Sequence, residues 1–399
     1  MTPQDPFRSL LVLTPLPTEV YQHVCEPRRR GYEVHAIDYT GPLRELGVKG
    51  TQELIERTIE ERKVDTVFLT FFGDTYHFPL EFMLRLREKA KLVIWAHDDE
   101  AYYEVHGKYY AQAAHAVVTT DFFSAACYRR MGIPAIINFT SITKRKLHPV
   151  PVPKDIDVSF VGDCGKTGRR AYIEFLRANG IRVESFGAGS RRGMVSFEEM
   201  SAIFSRSKIN LNFSRLDELS WINNDDPLLE RVRQNKGRVI EASMAGGFCL
   251  SEYAPCLPLI FDIGKEVDTF WDNESLLEKV RYYLAHEEER EAFAARAHKK
   301  ALELYEYEPY MDRILGELRE VLLSPNPASK PTCIAGPRFK ERQVNVLFVH
   351  LLSLLGRARL REALRDLPYL FQHGLWMFAL GSAKGLVRAL SLLFGRLKK

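Results

Sequence analysis

The sequence predicts an α/β protein of two Rossmann-like domains with a C-terminal helical tail. Three observations carry that prediction. Short apolar runs alternate with helical patterns from the first residues onward, as in parallel sheets. The alternation breaks at Pro149-Val150-Pro151-Val152-Pro153, whose prolines continue neither a helix nor an inner strand, and then starts again. From Pro331 the pattern gives way to long apolar stretches interrupted by Lys and Arg. Domains are therefore expected at residues 1–148 and 154–325, with a basic amphipathic tail at 331–399.

In the first half, Ser9 to Thr14 and Tyr32 to Ile37 read as strands with a helix between them. A helix over Thr51 to Lys63 leads to a buried strand from Thr66 to Phe72. The helix Leu80 to Lys89 precedes the strand Leu92 to Ala96, and His115 to Thr120 and Ala135 to Phe139 complete this half. In the second half the strands are Asp157 to Gly162, Arg182 to Phe186 and Lys208 to Phe213. The helices between them are Thr167 to Asn179 and Phe197 to Ser207. A short helix ends at Gly246-Gly247 before a buried strand from Phe248, and Glu274 to Leu284 and Glu288 to Tyr305 close the unit. Two such units imply a cleft where strand C-terminal ends converge.

Composition bounds the function. A chain of 399 residues, 46% hydrophobic and 27% charged, is ordinary for a soluble globular protein of two or three domains. Six scattered cysteines without a CxxC pair argue for a reducing, cytoplasmic setting and against a disulfide framework or a zinc site. Residues 1–20 lack the basic start and long apolar run of a signal peptide. The net charge of +4 conceals an asymmetry. Residues 331–399 carry twelve Lys/Arg against three acids, a balance of +9 that leaves the rest of the chain at −5. A mildly acidic body argues against nucleic acid as a partner.

The most informative segment is Lys236-Gly237-Arg238-Val239-Ile240-Glu241, followed by Ala245-Gly246-Gly247. A helix start flanked by Lys236 and Arg238 suits a diphosphate, because backbone N–H groups and the helix dipole both favour anions. Glu241, a turn inside, can accept hydrogen bonds from both hydroxyls of a ribose. Together they make a cradle for a nucleoside diphosphate; an ordinary αβ unit with solvated charges is the other reading of the same residues. The loop Gly162-Asp163-Cys164-Gly165-Lys166-Thr167-Gly168 offers a second phosphate approach. Its Gly162 lies only four residues before Lys166, so it lacks P-loop spacing and an ATPase reading is poor.

In order along the chain, five segments resemble the glycosyltransferases of GT-B architecture, specifically the branch similar to spore-maturation proteins of the CgeB type. They are Asp157 to Gly162, Lys208 to Phe213, Gly237 to Gly247, Gly264 to Val267, and Tyr282 to Arg290. The resemblance runs from about Asp157 to Arg313 and is weaker in the first half, where Trp95-Ala96-His97-Asp98-Asp99 matches a strand ending in acids. It implies sugar transfer from a nucleotide-sugar donor held by the second half, with the acceptor facing the first. It also implies that Glu241 contacts the donor ribose. Where related retaining families often carry a sugar-contacting Glu, this chain has Arg233, which breaks that pattern. Arg233, with Arg231, Lys236 and Arg238, would suit the diphosphate instead.

Breaking the glycosyl–phosphate bond develops negative charge on the departing nucleoside diphosphate, which a metal or fixed cations must stabilise. The only Asp-x-Asp match, Asp155-Ile156-Asp157, stands at a strand entry and reads as solvated acids. No metal and no cofactor are expected, and Arg238, Lys236 and the Gly162 loop carry the charge. An inverting reaction needs a base for the acceptor hydroxyl. His97, Asp98 and Asp99 stand at a strand's C-terminal end, where adjacent carboxylates can raise one another's pKa. The alternative is that Asp98 caps a helix and Asp99 is solvated. Asp74 and His77, after the preceding strand, are second choices. Asn212, with Asn210, either lines the donor site or finishes a buried strand, and the loop Trp221 to Asp226 is a candidate acceptor cover.

In the tail, Val344 to Leu355 and Leu375 to Leu397 are apolar but too short or too interrupted to span a bilayer. Apolar faces interleaved with Arg and Lys suit a helix on an anionic membrane surface; a hairpin docked on the body or on a second subunit is the alternative. A peripheral location on the inner face of the cell membrane would suit a lipid-linked or cell-envelope acceptor. A sugar-nucleotide epimerase on the same scaffold, needing no acceptor, and a non-catalytic nucleotide-sugar-binding or coat-type protein are the competing functions.

Overall fold

The structure is a computed structural model that describes residues 5–19, 21–71, 76–216, 232–324 and 333–397. The chain divides into two units, one of residues 1–119, 123–137 and 316–399, the other of residues 120–122 and 138–315. The change of unit comes after Ile137, ahead of the proline run. Residues before that run already bond within the second unit, as His148 N–H does to Ser201 Oγ (3.3 Å).

The first unit is built on β1 (Ser9–Thr14), α1 (Gln22–Arg29), β2 (Glu33–Asp38), α2 (Thr40–Glu61), β3 (Thr66–Phe71), α3 (Leu80–Lys89) and β4 (Lys91–Ala96). Short helical turns α4 (Asp99–Tyr102) and α5 (Lys108–Tyr110) follow, then β5 (Ala116–Thr119), α6 (Phe122–Arg130) and β6 (Ala135–Ile137). The strands form one parallel sheet in the order β2-β1-β3-β4-β5-β6. β1, β3 and β5 are buried along their whole length, which is why they read as continuous apolar runs rather than alternating ones.

The second unit restarts the same winding. It contains β7 (Ile156–Val161), α7 (Thr167–Ala178), β8 (Val183–Phe186), α8 (Phe197–Arg206), β9 (Ser207–Asn212), α9 (Arg238–Met244), β10 (Cys249–Glu252) and β11 (Asp268–Phe270). It closes with α10 (Asn273–Ala285), α11 (Glu287–Leu304) and the first part of α12 (Tyr307–Leu323), whose remainder from Gly316 is counted with the first unit. The parallel sheet runs β11-β10-β9-β7-β8, so both sheets share the doubly wound order 2-1-3-4-5. Phe160, Leu176, Ile209, Leu211, Phe248, Leu250, Phe270 and Phe293 form the core. α8 and α10 begin with capping boxes at Ser196 and Asp272, which fix their starts.

The predicted two-domain α/β architecture is thus the one observed, and most elements fall within a residue or two of expectation. α2 begins earlier than predicted, at Thr40, because Gly47 (φ 70°) joins two helical segments across a kink. α6, β11 and α12 were not anticipated; β11 is only three residues long, too short to carry a pattern.

The tail comprises α13 (Pro337–Gly356), α14 (Leu360–Asp366) and α15 (Leu375–Leu397) and belongs to the first unit. Asp366, 4% exposed, accepts hydrogen bonds from the N–H groups of Val48 (2.6 Å) and Lys49 (2.9 Å). It thereby caps the helical segment that restarts after Gly47, across more than 300 residues of sequence. A Cβ at Gly47 would overlap the Asp366 carboxylate, so both the space and the positive φ call for glycine. Gln343 donates to the carbonyls of Tyr76 (3.2 Å) and Phe78 (3.1 Å), and Phe339 packs on Tyr76, Tyr109 and Tyr110. Much of the tail is therefore core of the first unit.

Candidate functional site

A pocket of about 190 Å³ opens at the C-terminal ends of β7 and β9, the neighbouring strands from which the chain winds in opposite directions. In doubly wound sheets this switch point is where the strand ends leave a crevice. Phe160, Val161 and Gly162 line it from β7 and its exit, Asn212 and Phe213 from β9. Lys236, Gly237, Arg238 and Glu241 come from the start of α9, and Arg169 from α7.

Each part is shaped by its sequence. A Cβ on Gly162 would meet the Phe160 ring at 2.8 Å. Gly187 (φ 105°), after β8, has no room for a Cβ, which would overlap the Gly162 carbonyl. The two loops therefore pack backbone to backbone, with Gly162 N–H bonded to Phe186 O at 2.9 Å and Cys164 N–H to Ala188 O at 2.7 Å. Gly237 faces Thr140, which a Cβ would approach to 3.1 Å. α9 is fixed from behind by buried Val239, Ile240, Ala242 and Met244.

The charged groups are held as well. Arg238 pairs with Glu241 Oε2 and lies over the Phe204 ring, 5.8 Å from its centroid. Lys236 Nζ donates to Gln234, whose own backbone N–H is tied to Ser214 O at 2.9 Å. Arg169 is 9% exposed, lies over Phe160 at 5.9 Å and donates to the Asp163 carbonyl at 3.3 Å. Three cations and one carboxylate thus face one small opening. Asn212 is 3% exposed and donates to Ser251 Oγ at 2.8 Å, so it both finishes the buried strand and contributes to the lining.

Arg233 is held elsewhere. Its Nε stands 3.2 Å from Glu252, a buried carboxylate that also accepts from the N–H groups of Ser214 (3.0 Å) and Arg215 (2.8 Å). Glu252 therefore ties together the two ends of the 217–231 segment, and Arg233 is not among the pocket-lining residues. Arg231 and the loop Trp221 to Asp226 lie outside the described residues, as does Asp74.

The candidate bases stand in the first unit at the end of β4. Asp98 is exposed and adopts a left-handed φ of 56°. Asp99 is 1% exposed and accepts from Thr119 Oγ1 (2.6 Å) and the Tyr128 hydroxyl (3.1 Å), so it is neither solvated nor open to a substrate. Burial holds His97 below the usual imidazole range, against the opposing pull of Asp98. Burial and neighbouring His97 bring His23 down to about 3, and its ring lies 4.5 Å from that of Trp95. His77 packs its ring against His350 in the tail at 5.2 Å.

Among the described residues no three His, Cys, Asp or Glu side chains gather as a metal set. Asp155 pairs with Arg206 (2.6 Å), and Asp157 with Arg182 (2.6 Å) and Lys208 (2.7 Å). Arg206 holds the Asp155 carboxyl below its ordinary range.

Sequence reasoning missed Arg169, Gly187 and Glu252. Gly187 had a legible signal, a glycine immediately after a predicted strand. Arg169 sits in a Lys/Arg-rich helix start where nothing local separates a buried guanidinium from exposed neighbours.

Comparison with known proteins agrees with this architecture. Residues 169–316 match the family model described as glycosyl transferase-like. A sucrose-phosphate synthase from Thermosynechococcus elongatus superposes with a TM-score of 0.59 at 12% identity, covering 80% of this chain and 100% of that one. HepE from Anabaena in its complex with UDP-glucose gives 0.54 at 10% identity, covering 78% and 98%. A glycosyltransferase from Rickettsia africae gives 0.53 at 11%, covering 79% and 99%. Among curated proteins no sequence match was found. The fold is that of the GT-B glycosyltransferases, and the matched segment carries most of the pocket.

Proposed function

We propose that the protein is a metal-independent glycosyltransferase that binds a nucleoside-diphosphate sugar in the pocket between β7, β9 and α9. The observation that carries this reading is the meeting of Glu241 with Lys236, Arg238 and Arg169 at one switch point. The ribose hydroxyls donate to Glu241, whose other oxygen is held by Arg238. The diphosphate takes the Gly162 loop, Lys236 and Arg169, and these fixed cations stabilise the charge that develops as the glycosyl bond breaks. Buried supports keep them oriented before reaction, which is where such stabilisation gains over water.

Asp98, exposed at the end of β4, is our first choice for the base that takes the acceptor proton. His97 is the group beside it, kept neutral by burial. The acceptor belongs to the cell envelope or is lipid-linked in this reading, and the five ordered motifs favour the CgeB-like branch.

A thermal-shift panel of UDP, GDP, ADP and CMP and their sugars, with and without EDTA, tests the donor site. UDP leads the panel because HepE is known as a UDP-glucose complex. A ligand at a hundred times its dissociation constant stabilises by about 2.7 kcal/mol, well within detection. The expected result is one nucleoside diphosphate that shifts the wild type with EDTA present and fails on Glu241→Gln. A shift that requires added metal, or survives the substitution unchanged, refutes the proposed site. Product formed without any acceptor would favour the epimerase reading.

A further inference from the structure

We propose that the outer face of α15, with the adjoining face of α14, docks the protein on an anionic phospholipid surface. One side of α15 is committed to α13. A Cβ on Gly381 would meet Val344 at 2.7 Å and one on Gly385 would meet Phe348 at 2.9 Å, so these glycines seat the helix closely on its neighbour. The opposite side carries Leu375 and Trp376 (each 75% exposed), Leu386 (50%), Val387 (68%) and Leu390 (44%). At 100° per residue these five fall within one 120° arc of the helix, so they form a single stripe. A second stripe, Leu360, Leu364, Leu367 and Phe371, is exposed on α14 and the turn after it. Phe371 packs at a tilt on Phe378 of α15, with ring centroids 4.4 Å apart, which fixes the end of this second stripe against α15.

Charge selects the occupant. α15 contains no acid, and the chain from Pro331 is +9 against −5 for the remainder. Arg357 and Arg361, flanking Leu360, are exposed and form no ion pair among the described residues. Arg359 and Arg365, by contrast, are paired at the surface with Glu45 and Glu53 of α2. The tail thus divides its cations between those paired with α2 and those left without an ion pair, among the described residues, beside apolar side chains. Apolar groups that enter the acyl boundary beside Arg at headgroup level are the pattern of an interfacial helix. No helix of the described residues is long and apolar enough to cross a membrane. A second copy of the chain would bring two cationic faces together, which is why lipid is the better fit.

Because Asp366 and Gln343 build the tail into the first unit, the test uses point variants of the full chain and not a truncation. Co-sedimentation with vesicles of phosphatidylglycerol and phosphatidylcholine is compared with vesicles of phosphatidylcholine alone. The wild type is expected on the anionic vesicles, with binding that weakens as salt rises. Arg357→Gln with Arg361→Gln should lower partitioning about thirtyfold, at roughly 1 kcal/mol per cation near the surface. Trp376→Ser with Val387→Ser should lower it more than tenfold. Trp376→Phe should still sediment while losing the quenching of its fluorescence by brominated acyl chains. Equal binding to both vesicle types, or unchanged binding by both double variants, overturns the proposal. A wild-type dimer that Val387→Ser converts to monomer, without vesicle binding, would instead assign the face to a second copy.

Discussion

Replacing Asp366 by Ala tests whether the tail is an integral part of the first unit. Its carboxylate accepts two short backbone hydrogen bonds from Val48 and Lys49 while 4% exposed, with His350 Nε2 at 3.6 Å. Hydrogen bonds to a charged acceptor contribute about 1.5–3 kcal/mol each, and loss of an N-cap costs about 1–2 kcal/mol. These describe the same contacts, so the expected loss is about 2–4 kcal/mol. Asp366→Asn keeps one acceptor oxygen and should lose about half as much. Gly47→Ala attacks the contact from the other side, adding about 1–3 kcal/mol of backbone strain at φ 70°, ψ −176° to displacement of the carboxylate. Hydrogen exchange at the Val48 and Lys49 amides reads the contact directly, and 2–4 kcal/mol corresponds to about 30- to 1000-fold faster exchange. The two substitutions remove one interaction, so their double variant should be far from additive. Exchange and urea stability within about 0.5 kcal/mol of wild type for Asp366→Ala would refute the reasoning.

Three further outcomes follow from the same geometry. Gly187→Ala should destabilise the second unit by about 2 kcal/mol or more and abolish the nucleotide thermal shift, because the added Cβ displaces the Gly162 carbonyl. Asp99→Asn should lower the melting temperature by weakening the Thr119 and Tyr128 bonds, whereas Asp98→Asn should leave it unchanged while cutting sugar transfer about a hundredfold or more, measured by release of the nucleoside diphosphate. Burial beside Arg87 and Lys91 holds His115 down at about 3, so the unfolded chain binds a proton near pH 6.5 that the folded one refuses. Stability is therefore complete above pH 6.5 and falls as pH drops from there toward 3, by up to about 1.4 kcal/mol per unit from this group; urea titrations should show a shallower slope for His115→Asn.

What was legible in the sequence followed the range of the interactions. Strands buried on both faces, such as β3 and β4, declare themselves as unbroken apolar runs. The start of α9 is legible as a unit because the four residues it brings to the pocket lie within six consecutive positions. Arg169 and Glu252 were not, since each acts on groups remote in sequence: Arg169 on a pocket lined by β9 and α9, Glu252 on the backbone of Ser214 and Arg215. The role of Asp366 was the least legible, because its partners are more than 300 residues away and nothing near it marks a cap. The tail's basic composition is plain in the sequence, but composition does not say which arginines pair with Glu45 and Glu53 and which do not.

The two sheets share a winding order, and a physical reason leaves the open pocket in the second. At the switch point of the first sheet, Tyr39 donates to the Thr70 carbonyl (3.0 Å) and the Tyr21 hydroxyl lies 3.3 Å from Thr70 Oγ1. Both rings are nearly buried, so large side chains occupy the ground where a ligand would sit. At the matching point of the second sheet the chain leaves β7 through Gly162 and β8 through Gly187. Backbone fills less space than an aromatic ring, and here it is tied up loop to loop, with Gly162 N–H on Phe186 O and Gly187 N–H on Gly193 O, so the opening is left to the side chains of Arg169, Lys236 and Arg238. The same topology thus yields a packed switch point in one unit and an open, cation-lined one in the other, and the difference rests on which residues follow the strands.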